Sequence, residues 1–342
     1  MTETPHLRAD SAHVCEHPEG MGTVQEVRIA KRTGFCYGVR EAIDKAKESA
    51  AAGNLTHTLG QVVHNEGVVR ELTQLGVRSV ESLDDVDHGA AVVIRAHGVK
   101  PEVMQRAEAR GLEVIDGTCT WVIQEQRQLQ ELVEEGYTIV LLGTPKHPEV
   151  VGLLGFAPDA IVVDGEEDWD RIPRRKRMAL ITQSTQPPWK FEKLAAFMVN
   201  RAHELKILNT VCPVTIRRQE DTLETAQAVD LMVIVGGRHS ANTKELTRLC
   251  EIAGTKAIQI ENAKDLTDPA PFDAVVAVGV TGGTSTPIED LRDVAERIYL
   301  LAGTPAEQAR ASELARHALD AAATPAGRTT SLPERKVAAG AA

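Results

Sequence analysis

Arg32-Thr33-Gly34-Phe35-Cys36-Tyr37-Gly38-Val39-Arg40 lies between an apolar run, Val27 to Ala30, and a segment with helical patterning, Val39 to Ala52. The cysteine therefore sits at a strand-to-helix turn. Gly34 and Gly38 let the backbone approach something bulky, and a helix N-terminus favours thiolate over thiol. One such turn reads equally well as packing, because free Cys is among the most buried residue types.

Repetition separates the two readings. Leu112 to Cys119 is again an apolar run, a turn and a Cys, followed by the helical stretch Val122 to Glu135. Leu205 to Cys212 repeats it, followed by Thr215 to Ala228. His64, His147 and His239 form a second set, each after an apolar run and a Gly-containing turn, 28, 28 and 27 residues past the preceding Cys. A third set closes each segment: Val93 to His97, Leu180 to Ser184, and Val278 to Thr281 leading to Ser285. Internal repeats of this kind imply repeated supersecondary units. Each repeat reads as three strand–turn–helix units, with the polar residue at the strand's C-terminal end, where parallel α/β sheets bind ligands. The expected fold is α/β, in three pseudo-repeated α/β domains that face one centre.

The expected division is 1–25, a flexible extension carrying an incidental Cys15; 26–118, 119–211 and 212–302, the three α/β repeats; and 303–342, an Ala-rich, disordered and dispensable tail. Asn65 to Leu75, Pro101 to Arg110, Trp189 to His203, Ala241 to Ala253 and Pro287 to Leu301 read as helices. Tyr137 to Leu142, Met178 to Ile181, Leu231 to Val235, Ala257 to Ile260 and Ala274 to Val280 read as strands. Cys250, beside Leu249 in a helix, reads as core.

A net charge of −11 argues against nucleic acid as a partner, and no basic helix or aromatic-basic interleaving offsets it. No apolar stretch reaches the length of a membrane span, and residues 1–25 contain no apolar signal core. The expected location is the cytoplasm, where cysteines stay reduced and spaced cysteines point to metal or catalysis.

Three converging cysteines admit zinc or an iron–sulfur cluster, and the spacing leaves both open; no C-x₂₋₄-C pair marks a closed zinc site. His147-Pro148-Glu149 places an imidazole and a carboxylate at a helix start, as proton donor and oxygen ligand or as a plain N-terminal cap. Ser240-Ala241-Asn242 and Thr281 to Pro287 each lie between a strand and a helix. Each reads as a plain N-cap or, taken with His64 and His97, as part of a cradle for a phosphate group. No GxxxxGK[ST] loop is present.

At these residues the sequence resembles the 4-hydroxy-3-methylbut-2-enyl diphosphate reductase family, over roughly residues 27–302. The resemblance rests on Gly34-Phe35-Cys36, Val63-His64-Asn65, Ala96-His97-Gly98-Val99, Thr118-Cys119, His147-Pro148-Glu149, Thr182-Gln183-Ser184-Thr185, Cys212, Ser240-Ala241-Asn242 and Ser285-Thr286-Pro287. It implies a trefoil of three α/β domains around a central [4Fe–4S] cluster with an open iron, held by Cys36, Cys119 and Cys212. It also implies a diphosphate site at His64, His97, Ser240, Ala241, Asn242 and Ser285, with His147 and Ser184 at the substrate hydroxyl and Glu149 as proton donor. The electron donor it implies is reduced ferredoxin or flavodoxin. Three positions depart from the family pattern: Thr120-Trp121 replaces Pro and a smaller apolar residue, Ala241 replaces a common Ser, and Ser184 stands where Thr is common. A divergent paralogue, either a cluster-bearing binding or sensing protein or a reductase of another allylic substrate, is the alternative these departures keep open.

Overall fold

The computed structural model describes residues 23–323, apart from His64 and His239. In chain order the elements begin β1 (Glu26–Ile29), α1 (Tyr37–Ala51), β2 (Thr56–Leu59), α2 (Glu66–Gln74), β3 (Arg78–Val80), β4 (Ala91–Ile94), α3 (Pro101–Ala109) and β5 (Glu113–Asp116). They continue α4 (Thr120–Glu134), β6 (Thr138–Leu142), α5 (Pro148–Leu153), β7 (Ile161–Val163), β8 (Arg175–Thr182), α6 (Pro188–Met198) and β9 (Ala202–Ile207). The remainder is α7 (Pro213–Ala226), β10 (Leu231–Val235), α8 (Ala241–Ile252), β11 (Lys256–Ile260), β12 (Ala277–Gly282), α9 (Ile288–Ala302), α10 (Pro305–Ala309) and α11 (Ala311–Ala322).

The strands build three four-stranded sheets, β3-β2-β4-β5, β7-β6-β8-β9 and β11-β10-β12-β1, with every pairing parallel. Parallel strands need crossovers, which put helices on both faces and make the central strands apolar throughout. Accordingly β4, β10 and residues 139–142 of β6 are wholly buried. In the second sheet Ile139 and Leu141 enter one cluster with Leu129 and Leu153, while Val140 and Leu142 enter another with Phe191 and Leu194. Cys250 packs in the third unit's core with Met232 and Leu246.

Three features differ from the sequence expectation. The repeat expected to start at residue 26 begins with a strand that belongs elsewhere: β1 pairs with β12, Val27 opposite Val278 and Ile29 opposite Val280. The strand before each cysteine is the fourth strand of a sheet, and for Cys36 that sheet is the last one in the chain. Without β1, β12 would expose an unpaired edge. The helix expected over Trp189 to His203 stops at Met198, and the chain turns into β9 from Ala202. Here the pairing of β9 with β8 overrides local helix propensity.

The third difference concerns the tail. From Pro305 to Ala322 the chain is ordered as α10 and α11, and Ala311, Ala315 and Ala322 are buried in one cluster with Val24, Ile298 and Tyr299. Small side chains allow α11 to lie close against α9 and β1, so an alanine-rich composition here is a packing face. Residues 324–342 and Cys15 lie outside the described residues.

Ending the chain after Gly303 should uncover this face. The expected cost is at least ~2 kcal/mol of apolar burial, read as a Tm lower by roughly 4 °C or more. An unchanged Tm would show that α10 and α11 add nothing to stability.

Candidate active site

Each sheet has the order 2-1-3-4, so its strand order reverses between the two central strands, and ligands bind beyond their C-terminal ends. The turns after β2, β6 and β10 carry the histidine set. Those after β4, β8 and β12 carry His97, Ser184 and Ser285. The cysteines follow the fourth strands as N-caps of α1, α4 and α7, and none uses its side chain as a cap.

One backbone hydrogen bond recurs at all three. Cys36 N donates to Thr284 O at 3.2 Å, Cys119 N to Ala96 O at 3.0 Å and Cys212 N to Ser184 O at 2.8 Å. Each cysteine is thus fixed to the turn of the strand beside it. The turns also meet one another. A Cβ on Gly38 would stand 2.7 Å from Cys119 Sγ, so the start of α1 needs glycine because the second cysteine lies against it. Gly34 has φ +88° and packs on Ile288, the first residue of α9. Trp121 Nε1 donates to Thr210 O at 2.8 Å, tying the Cys119 helix to the Cys212 turn.

Burial pushes the Cys119 thiol up against the pull of the Trp121 and Val122 N–H groups, and Cys36 and Glu149 repel its charge. Burial likewise raises Cys212, with Cys119 and Cys36 adding to it. For these two the expected helix-terminus effect is present but loses to burial. A metal that binds these two sulfurs must displace their protons.

His147 is the N-cap of α5, and its Nδ1 accepts from Glu149 N at 3.2 Å. This fixes the neutral tautomer with its proton on Nε2. Its ring meets that of His97 edge-on, with centroids 5.2 Å apart. Glu149 is 2% exposed. Its Oε1 accepts from Ser184 N at 2.5 Å and its Oε2 from Ser184 Oγ at 2.8 Å. Burial raises its pKa, and these two donors oppose the rise. Glu149, His147, Ser184 and His97 therefore form one group, with Cys119 close enough to feel the carboxylate.

On the third sheet, Ser240 caps α8 by accepting from Thr243 N at 3.3 Å, so the capping reading holds for its Oγ lone pair. Asn242 is buried, and neither its Oδ1 nor its Nδ2 has a partner among the described residues. A Cβ on Gly283 would lie 3.6 Å from Asn242 Nδ2, which sets this amide against the turn that carries Ser285. Asn65, the cap of α2, donates through Nδ2 to Asp290 Oδ2 at 2.8 Å and so joins the first unit to the start of α9. Ala241 opens α8, and His64 and His239 lie outside the described residues.

Two residues of this site are missing from the sequence reading. Glu125 on α4 is 1% exposed, and neither carboxyl oxygen has a donor among the described residues. Thr210 Oγ stands near it but directs its proton to Thr182 O at 2.5 Å. Burial holds the Glu125 carboxyl well above the usual carboxylate range, reinforced by Glu149. Arg218 on α7 is fully buried and donates to Gly282 O, Gly283 O and Gly34 O at 2.8, 2.9 and 2.7 Å. In sequence both look like ordinary charged positions on amphipathic helices.

Among the described residues no three His, Cys, Asp or Glu side chains are grouped closely enough to hold a single metal ion. A zinc site gathers its ligands at about 2.0–2.3 Å from one centre. Three cysteines at three helix termini offer thiolates of the kind an iron–sulfur body takes, each on a separate iron.

The LytB protein family model matches residues 27–299. A 4-hydroxy-3-methylbut-2-enyl diphosphate reductase of Geobacter metallireducens is 37% identical over 274 residues, covering 80% of this chain and 96% of its own. One of Nitratiruptor is 34% identical over 274 residues, covering 80% and 98%. A solved structure of (E)-4-hydroxy-3-methyl-but-2-enyl diphosphate reductase, the terminal enzyme of the non-mevalonate pathway, aligns with a TM-score of 0.63 at 35% identity. It covers 80% of this chain and 98% of that one. The Plasmodium falciparum reductase aligns with a TM-score of 0.74 at 26% identity, covering 79% and 86%.

Because its folded pKa is raised, Glu125 costs no ionisation penalty below the ordinary carboxylate range. It drains stability as pH rises from about 4.3 toward its folded value. Glu125→Gln lacks that slope. Its Tm relative to the parent should increase between pH 5 and pH 8, and a constant difference would contradict a buried, partnerless carboxyl.

Proposed function

The chain belongs to the LytB family, and on that premise we propose that it reduces 4-hydroxy-3-methylbut-2-enyl diphosphate to isopentenyl and dimethylallyl diphosphates. The reaction breaks an allylic C–O bond and forms a C–H bond. Two electrons and two protons enter, and the hydroxyl leaves as water. Cys36, Cys119 and Cys212 would hold a [4Fe–4S] cluster, which when bound supplies electrons and an open, Lewis-acidic iron.

The remaining work falls to the chain's own residues. Glu149 delivers a proton to the departing hydroxyl: burial raises its pKa and so favours the protonated form, and the same burial excludes competing water. Ser184 orients that carboxyl through two hydrogen bonds, so its position is set before substrate arrives. His147, with its proton on Nε2, presents a donor to a substrate oxygen. The diphosphate end suits the start of α8, where the first backbone N–H groups and the Asn242 amide, without a partner among the described residues, offer donors beside the Ser285 turn. His64, His97 and Ser240 complete this set in our reading. Ala241 contributes no side-chain donor there, so the phosphate relies on the backbone at that position.

Among the described residues no helix is long and apolar enough to cross a membrane. A cytoplasmic enzyme drawing single electrons from reduced ferredoxin or flavodoxin fits this reading. The observation that carries the proposal is the Glu149–Ser184 pair beside Cys119, an acid held next to the one place where three cysteines meet.

Anaerobically reconstituted protein with a chemical reductant should convert the substrate to the two C5 diphosphates. Glu149→Gln should lower turnover at least ~100-fold, as expected for loss of a general acid, with the cluster absorption retained. Full turnover by the variant would remove Glu149 from the chemistry. No turnover by the parent with its cluster intact would favour a binding or sensing role.

A further inference from the structure

Arg218 is the largest fully buried side chain among the described residues, and it is a cation. Its hydrogen-bond partners are three backbone carbonyls, Gly34 O, Gly282 O and Gly283 O. The first lies two residues before Cys36, and the other two lie in the turn whose Thr284 O receives the Cys36 N–H. Arg218 itself is on the helix that Cys212 caps. One guanidinium thus holds together the turns of two cysteines and the turn of Ser285.

Its charge has no carboxylate of its own. The nearest, Asp221, is one turn on along α7, but both its oxygens are taken by Arg32, at 2.5 and 2.6 Å. The Arg218 Nε has no partner among the described residues. An uncompensated buried charge costs several kcal/mol, so folds that keep one place an opposite charge near it. Besides Asp221, the groups close enough to act on Arg218 are Cys36 and Cys212, which carry negative charge once they ligate a metal.

We propose that Arg218 is a positioning residue whose fixed buried charge is the counter-ion of the group held by the three cysteines, and that it raises the reduction potential of that group. This rests on the cluster reading above. Reduction adds a negative charge at a water-poor centre, and cluster potentials follow net charge and hydrogen bonding to the sulfurs. A cation fixed on the Cys36 turn and on the helix that Cys212 caps favours the reduced state. It also makes the centre easier to reach for a weak biological electron donor.

The test is the midpoint potential of the reconstituted full-length protein, from a redox titration followed by EPR, in the parent, Arg218→Gln, Arg218→Lys and Asp221→Asn. Arg218→Gln should shift the one-electron equilibrium at least tenfold toward the oxidised state, about 59 mV more negative. Arg218→Lys, which keeps the charge but loses the planar fork, should stay nearer the parent. Asp221→Asn removes a nearby negative charge and should move the potential the opposite way, a sign reversal that a loss of packing does not produce. A loaded Arg218→Gln protein with the parent's potential overturns the inference. Where Arg218→Gln cannot be loaded, Asp221→Asn decides: a rise supports the inference and an unchanged potential overturns it. A parent protein that binds no iron and sulfide overturns the cluster reading itself, before any variant is compared.

Discussion

The structure depends on one hydrogen bond made three times, from a cysteine N–H to a carbonyl in the turn of the adjacent strand. A parallel sheet alone brings the C-terminal ends of its strands to one edge. It does not decide where a side chain on the following turn will stand. The bonds from Cys36 to Thr284, Cys119 to Ala96 and Cys212 to Ser184 do so, because each pins the start of a helix to the neighbouring turn. Closure of the ring is equally necessary. β1 completes the third sheet, so Cys36 is held by the last unit of the chain while its helix α1 packs on the first unit beside β2 and β4. Gly38 completes the arrangement, since any side chain there would displace Cys119.

Burial is the dominant electrostatic force at this centre. It raises the thiols of Cys119 and Cys212, the carboxyls of Glu149 and Glu125, and lowers the Arg218 guanidinium to about 10. All five shifts oppose charge. The acids acquire charge more readily when a partner of opposite sign arrives, whereas Arg218, at about 10, stays a cation at neutral pH. Glu149 is the exception in degree, because Ser184 gives its carboxylate two donors. That partial compensation limits the rise at Glu149, whereas Glu125, with no donor among the described residues, is raised further.

Much of this was legible in the sequence because the repeats place like residues at like positions. Cys36, Cys119 and Cys212 could be grouped by their shared turn without any knowledge of the sheets, and the central strands announced themselves by unbroken apolar runs. The swap of β1 could not be read: Val27 and Ile29 alternate with Glu26 and Arg28 in any half-buried strand, whichever sheet receives it. Arg218 and Glu125 were hidden for a related reason. A charged residue on a helix is normally solvated, and nothing in the local pattern of α4 and α7 marks these two as buried. The bulk of Trp121, a departure from the family pattern, became intelligible once its indole was found on Thr210 O. The alanine-rich end misled by composition, since Ala311 and Ala315 look like a solvent-exposed helix until α9 and β1 supply the opposite surface.

The central claim is that three turns from three sheets hold one iron–sulfur body, and its most direct measurement is iron and sulfide per chain after anaerobic reconstitution. The protein and single Cys36→Ser, Cys119→Ser, Cys212→Ser and Cys250→Ser variants would be compared. The account predicts about four irons and four sulfides in the parent and in Cys250→Ser, with a marked loss at each of the other three. Full iron and sulfide content in any one of those three, or their loss in Cys250→Ser alone, would contradict it.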